Sequence, residues 1–459
     1  MDSEPKRNYS LPDQILLQPI VAARSSFYYV ALFLLGGTTF GFIAYLVQLQ
    51  RGLGVTGLNI PLYWGVYITN FVFFIGISHA GTLISAILRL CEAEWRRSIT
   101  RAAEVITVLV LFFGVGSIIM DLGRPDRLFN VLLHPNFRSP LLWDVCSISV
   151  YLTGSTIYLY LPLIPDMAIL RDHGGRYLWF YRLLALGWRG TERQKRILHR
   201  AISIMAVLVI PIAVSVHTVV SWVFGMTVQP MWHSTIFGPY FVVGAIFSGI
   251  ASIIIAMALI RRIYGLQNYL KPVHFNNLGL LLLVMALLWF YFTFAEYLTT
   301  FYGGDPAHLV VFYSKLTGRF APLFWTMFVT CFVIPVPLLA WSRTRTVAGT
   351  VIASISINIG MWLERYTIVV PTLSRPRLPW AEGLYTPTWV EAGITLGFGA
   401  TFLFLYMLFT RFFPIVSIWE VWEGRERAVP DVVARIESYM PAETPETETE
   451  DLYLQTKEK

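Results

Sequence analysis

The stretch 237–260, FGPYFVVGAIFSGIASIIIAMALI, runs for 24 residues without a charged side chain until Arg261 closes it. As a helix rising about 1.5 Å per residue, it is long enough to cross a hydrocarbon core of about 30 Å. One such run could be the buried helix of a soluble domain. Comparable runs recur along nearly the whole chain, and ten in series cannot be hidden inside a soluble protein of 459 residues. Working outward from 237–260, the spans read as 26–50, 61–90, 100–121, 140–165, 200–226, 237–261, 275–301, 320–342, 345–370 and 389–411. Composition agrees: only 14% of residues are charged, against about 25% in soluble domains. The expected fold is all-α, a polytopic membrane protein of about ten transmembrane helices.

Charge sets the orientation. If both termini share a side, that side carries twenty-six of the 35 Lys and Arg residues, span ends included, and the opposite side nine. Basic residues resist translocation, so both termini of this inner-membrane protein are expected in the cytoplasm. The same rule accounts for the net charge of +7 without nucleic acid. Residues 1–25 then form a cytoplasmic arm, 26–413 the transmembrane domain and 414–459 a cytoplasmic tail. The tail's PAETPETETED is acidic and free of apolar periodicity, as disordered segments are. The polar start MDSEPKRNYSLPDQ enters a full-length span with no alanine-rich cleavage site, so no cleaved signal peptide is expected.

A short repeat suggests internal organisation. Ser139-Pro-Leu-Leu-Trp-Asp-Val145 opens the fourth span and Ala321-Pro-Leu-Phe-Trp-Thr-Met327 the eighth. Spans two to five and six to nine are thus expected to form two four-helix bundles, with two peripheral helices.

Cys91, Cys146 and Cys331 are isolated from one another, so no CxxC, CxxCH or ferredoxin-type motif can be written. The chain is expected to carry no haem, iron–sulfur cluster or other metal. Its chemistry must then lie in ionisable side chains within the spans, which are costly in lipid and so are functional candidates. These are His79, Asp121, Asp144, His217, Glu296, Glu364 and Arg365, with Arg124 held at the membrane surface by the Gly and Pro of DLGRPDR. Oxidising a quinol removes two electrons and two protons, which requires a buried proton acceptor and a donor to hold the quinone oxygen. A histidine facing a carboxylate across a bundle supplies both. The competing reading of each group is a polar tie between helices; for Arg124 it is a cap or a snorkelling side chain. Spacing puts His79 about 27 Å from the outer start of its helix, deeper than the other candidates.

The exit DLGRPDR (121–127) followed by HPNFRSPLLWDV (134–145) resembles the polysulfide-reductase-type, or NrfD-like, membrane anchors. The likeness extends through YWGVYITNFVFFIGISHAGTLISAI (63–87), HTVVSWVFGMTVQPMWHSTIFGPYFVVGAI (217–246) and LYTPTWVEAG (384–393), and covers residues 25–415. These runs are most similar to the larger such anchor of bacterial alternative complex III, the ActC type. The resemblance implies a cofactor-free subunit that oxidises menaquinol near the periplasmic face. It implies electron transfer to a docked iron–sulfur subunit and then to c-type haem subunits, beside a second NrfD-like membrane subunit. It assigns His79, Asp121, Arg124 and Asp144 to the quinol site, and His217, Glu296, Glu364 and Arg365 to proton routes. Asp121 departs from the histidine that often stands at this exit.

Two other functions are compatible with the spans. A b-type haem anchor would ligate haem through His79 and His217, although their spacing puts them at different depths and a two-haem protein needs four such histidines. An ion-coupled secondary transporter would use the repeat, but a four-span unit makes the halves parallel.

Overall fold

The computed structural model describes residues 16, 17, 20, 25–174, 177–375 and 383–424. The polar arm up to residue 15 and the acidic tail from 425 lie outside them. Among the described residues there is no strand, and ten helices are long and apolar enough to span a membrane. They are α1 (Ser25–Arg51), α2 (Val66–Leu90), α3 (Thr100–Asp121), α4 (Pro140–His173), α5 (Glu192–Gly225), α6 (Phe237–Ile263), α7 (Pro272–Gly303), α8 (Ala321–Ala340), α9 (Val347–Ser374) and α10 (Trp389–Phe412). The expected all-α polytopic architecture is what the chain adopts.

Local chemistry fixes the ends. A capping box, Thr191 with Gln194, starts α5, and another, Thr388 with Glu391, starts α10. Proline stands in the first turn of α4 and α7, where its missing N–H costs nothing. Within α8 a π-helical turn at Val329–Val333 widens the helix, and the Thr330 carbonyl accepts from Ser356 Oγ of α9 at 2.8 Å.

Helix α2 is central, packing against α3, α5 and α6. Small residues permit these approaches: a Cβ on Gly81 would sit 2.1 Å from the Ala103 carbonyl oxygen of α3. Helix α4 lies against α5, while α6 lies against α7 and α9, and α8 against α7 and α9. Helices α1 and α10 pair on the outside, where a Cβ on Gly41 would fall 2.5 Å from Gly397 Cα. Their remaining surfaces are broadly exposed and apolar, as helices facing lipid must be.

Past α10 the chain folds back beneath the first helices. Glu420 forms ion pairs with Arg89 and, at 3.4 Å, with Arg96, and its carbonyl accepts from Arg97 at 3.0 Å. Deeper in, Asp166 of α4 pairs with Arg101 of α3 and accepts from the Trp419 amide at 3.0 Å. This part of the expected tail is ordered because its polar atoms meet buried charges.

Candidate functional site

Two polar groupings occupy the helix interior. The first centres on His79 of α2, fully buried, whose Nδ1 lies 2.8 Å from the Ile75 carbonyl oxygen and whose Nε2 meets that of Ala213 on α5. A neutral imidazole has one N–H, so it can satisfy only one of these carbonyls; protonated, it satisfies both. The ring of His217 stands edge-on to it, 4.1 Å between centroids, and Tyr151 of α4 lies 5.1 Å from it. His217 is equally buried, and neither of its nitrogens has a hydrogen-bond partner.

The unequal depths expected from spacing are therefore corrected: the two histidines touch. Residues 61–65 are apolar but not helical, so α2 starts at Val66 and His79 lies only about 20 Å along it. The two helices also run antiparallel. Cα–Cβ bonds tilt toward each helix's own N-terminus, so the side chains lean toward each other and close the remaining gap.

From His217 a line of buried groups enters the neighbouring helices. Phe241 lies 6.4 Å from His217, and the Arg365 guanidinium sits 4.9 Å from the centre of the Phe241 ring. Gly244 makes room for that arginine, since a Cβ there would be 2.5 Å from Arg365 Nη2. Arg365 Nη1 is 3.0 Å from Glu364 Oε2 but out of line for a hydrogen bond, and Trp289 Nε1 donates to Glu364 Oε1 at 3.3 Å. The pair is 1% exposed, enclosed on all sides by protein. Beyond it, Glu296 accepts from Ser234 and lines a cavity of about 20 Å³ with Tyr240, Tyr297 and Lys315, room for about one water. Lys315, on the short helix Pro306–Leu316 outside the spans, is held at about 8 by burial, against the pull of Glu296 and Glu364.

In the other direction, α2 carries Ser78, Thr82, Ser85 and Arg89 along one face. The Ser78 carbonyl accepts from Tyr151 at 2.9 Å and Thr107 at 2.7 Å, Ser85 Oγ donates to Glu104 of α3 at 2.6 Å, and Arg89 meets Glu420.

The second grouping gathers Asp121, at the end of α3, with Tyr67 and Glu391, while Asp144 sits in the second turn of α4. Asp121 and Asp144 each keep one buried carboxylate oxygen without a partner. Asp144 lies two turns of α4 from Tyr151, so it is about 10 Å from the His79 layer rather than against it. Arg124 is exposed and pairs with Asp126 at 2.9 Å, not with Asp121. Nearby, Tyr67 donates to Gln48, whose Nε2 donates to the Met120 carbonyl at 2.7 Å. Glu391 gathers the Gly57 and Thr388 amides at 2.8 and 2.9 Å together with the Tyr385 hydroxyl. Burial and the adjacent Glu391 carboxylate push the Tyr385 phenol upward, which keeps it a donor.

Sequence reasoning passed over Tyr151, Glu104, Lys315, Tyr385 and Glu391. A capping box in LYTPTWVEAG and the 4-3-4 spacing of Ser78, Thr82, Ser85 and Arg89 were the available signals.

Residues 54–377 match the family described as "Polysulphide reductase, NrfD", which is most of the chain. The chain belongs to the NrfD family. Within it, the chain is 27% identical to a putative membrane subunit of a dimethyl sulfoxide reductase of Halobacterium salinarum, over 85% of this chain and 90% of that protein. It is 23% identical to an Hdr-like menaquinol oxidoreductase integral membrane subunit of Archaeoglobus fulgidus, over 86% and 93%. It is also 23% identical to the integral membrane subunit of a menaquinone reductase of Nitratidesulfovibrio vulgaris, over 89% and 97%. Membership and the ten spans make this NrfD protein a multi-pass integral membrane protein.

The histidine pair does not have the geometry of a haem ligand pair. A metal between two trans nitrogens, each about 2 Å away, separates the ring centroids by about 6 Å; here they stand at 4.1 Å, and both His79 nitrogens face carbonyls.

Proposed function

We propose that this chain is the quinol-binding membrane subunit of a respiratory oxidoreductase of the alternative complex III type. Menaquinol is oxidised beside Asp121 and Asp144, at the membrane face opposite the termini. The carboxylates take the quinol protons as two electrons leave for a docked iron–sulfur subunit, and c-type haem subunits receive them next. The membrane part also includes a second NrfD-like anchor. Both termini lie in the cytoplasm and the membrane is the bacterial inner membrane.

The observation that carries this reading is that Asp121, at the end of α3, and Asp144, in the second turn of α4, each keep a buried carboxylate oxygen without a partner. Leaving such a group unpaired costs about 1–3 kcal/mol, a cost that a bound hydroxyl offsets by donating to it. Relatives named for menaquinol and menaquinone chemistry support the substrate class.

The line from Glu296 through Glu364, Arg365 and His217 to His79 is the proton route of the same reading. The packing of α2 with α3 and α5, and of α6 with α7 and α9, supports two four-helix bundles that meet along it.

Asp144→Asn and Asp121→Asn in the assembled complex are the test. Each should lower quinol oxidation about 10²-fold or more, the scale of a lost acid–base group, with assembly intact. Full turnover in both removes the site from these residues. A proton-to-electron ratio no larger than quinol chemistry itself releases removes the proton route.

A further inference from the structure

A groove of about 560 Å³ opens between the last turn of α6 and the first turns of α9, and shares no lining residue with either polar grouping. Its polar lining is Arg261, Arg262 and Gln267; its wall is apolar, with Val347, Val351 and Ile352. We propose that this groove binds an anionic phospholipid, its phosphate against Arg261 and Arg262 and its acyl chains along the α6–α9 furrow.

Local folding builds the polar end. Gly265, at φ +67°, ends α6, and the Leu266 amide bonds back to the Arg261 carbonyl at 3.2 Å, a Schellman turn that brings Gln267 to the groove's mouth. Arg261 is held in place by Phe275, whose ring centre is 5.8 Å from the guanidinium, and its buried Nε has no hydrogen-bond partner. Opposite, α9 begins with Thr346 capping the Gly349 amide at 3.2 Å. The amides of Val347 and Ala348 are first-turn donors with no partner inside the helix, at the positive end of its dipole.

Charge selects the sign of the ligand. Residues 261–275 and 341–348 contain Arg261, Arg262, Lys271, Arg343 and Arg345, and no Asp or Glu. Among the described residues none of the five is in an ion pair, although Arg345 is occupied by Asn276 at 2.8 Å and by the Leu339 carbonyl. Topology alone asks for basic residues at this end, but it does not ask for a furrow between them. The apolar wall selects a lipid over a free anion: Ile352 and Ile263 are 56% and 55% exposed, extending the groove along the surface that faces the acyl chains. Basic pockets between spans are where anionic head groups bind.

The test is thermal unfolding of the full-length protein, delipidated in a neutral detergent, with native mass spectrometry for retained lipid. Cardiolipin or phosphatidylglycerol should raise the midpoint and stay bound, whereas phosphatidylcholine and millimolar inorganic phosphate should not. In R262Q, an exposed position that leaves packing alone, and in R261Q/R262Q, the apparent affinity for phosphatidylglycerol should fall about tenfold per lost charged contact. R343Q, which removes a cation from the same end without touching the groove, should keep full affinity. Equal stabilisation by phosphatidylcholine would reduce the groove to ordinary lipid contact. A response to phosphate alone would make it a free-anion site, and an equal loss in R343Q would reduce it to general surface charge.

Discussion

The imidazoles of His79 and His217 touch edge to face, but only the first is anchored: its nitrogens face two backbone carbonyls, while those of His217 face none. A buried polar ring without partners is a net cost to folding. Replacing it with an apolar side chain of similar size should therefore be neutral or stabilising. We expect His217→Leu to keep or raise the thermal midpoint and yet lower coupled quinol turnover about tenfold or more, as losing a proton-transfer group does. Unchanged turnover would make His217 a packing residue only.

Arg101 and Asp166 are 1% and 0% exposed and bind each other, so each charge depends on the other for its place in the interior. Removing one partner leaves a buried charge uncompensated, at about 3–5 kcal/mol. Asp166→Asn and Arg101→Met should each lower the unfolding midpoint sharply and release the 414–424 segment to protease. The double variant should lose less than the two single losses combined, and strict additivity would show that the charges do not act as a pair.

Glycines on α1 separate close approach from helix propensity. A Cβ at Gly41 would press on Gly397, whereas at Gly36 it would meet nothing within 4 Å. Gly41→Ala should destabilise by about 1–3 kcal/mol through overpacking, and Gly36→Ala should stabilise by up to about 1 kcal/mol because alanine favours helix. Chemical unfolding of both variants checks the sign reversal. Matching signs would mean that the α1–α10 contact is loose.

The spans were legible because lipid leaves the backbone no choice but a helix wherever side chains are apolar for long enough. Hydropathy could not show that the apolar residues 61–65 precede α2 rather than begin it, and the depth assigned to His79 suffered accordingly. Nor could it show the π turn in α8: Pro335 and Pro337 follow Val329–Val333 and deprive the helix of donors, but hydropathy does not register that. A charge inside a span marks Glu364 and Arg365 as candidates, but the same criterion says little about groups near span ends. Arg101 reads in the sequence as a cytoplasmic topology charge, yet it is buried against Asp166. Lys315 sits in a connecting helix and only the tertiary fold turns it toward Glu296. The tyrosines carried no signal of their own, since Trp and Tyr crowd membrane interfaces for reasons unrelated to chemistry.

Lys315 gives this arrangement a pH signature outside the spans. Burial brings its ammonium to about 8, below its ordinary value of 10.5, despite the carboxylates of Glu296 and Glu364. Between those values the unfolded chain holds a proton at this lysine that the folded chain has released, so folding stability rises with pH across the window. Below about 8 both states hold the proton and the burial cost is present in full. The wild-type midpoint in detergent should therefore climb between pH 8 and 10 by more than that of Lys315→Met, which has nothing to release there. The same substitution removes the cation beside the Glu296 cavity, so proton-linked turnover should fall at pH 7 and lose its dependence on pH near 8. Equal slopes of midpoint against pH in the two proteins would mean that Lys315 keeps its proton throughout, and the cavity would then hold a fixed charge rather than a group able to pass a proton on.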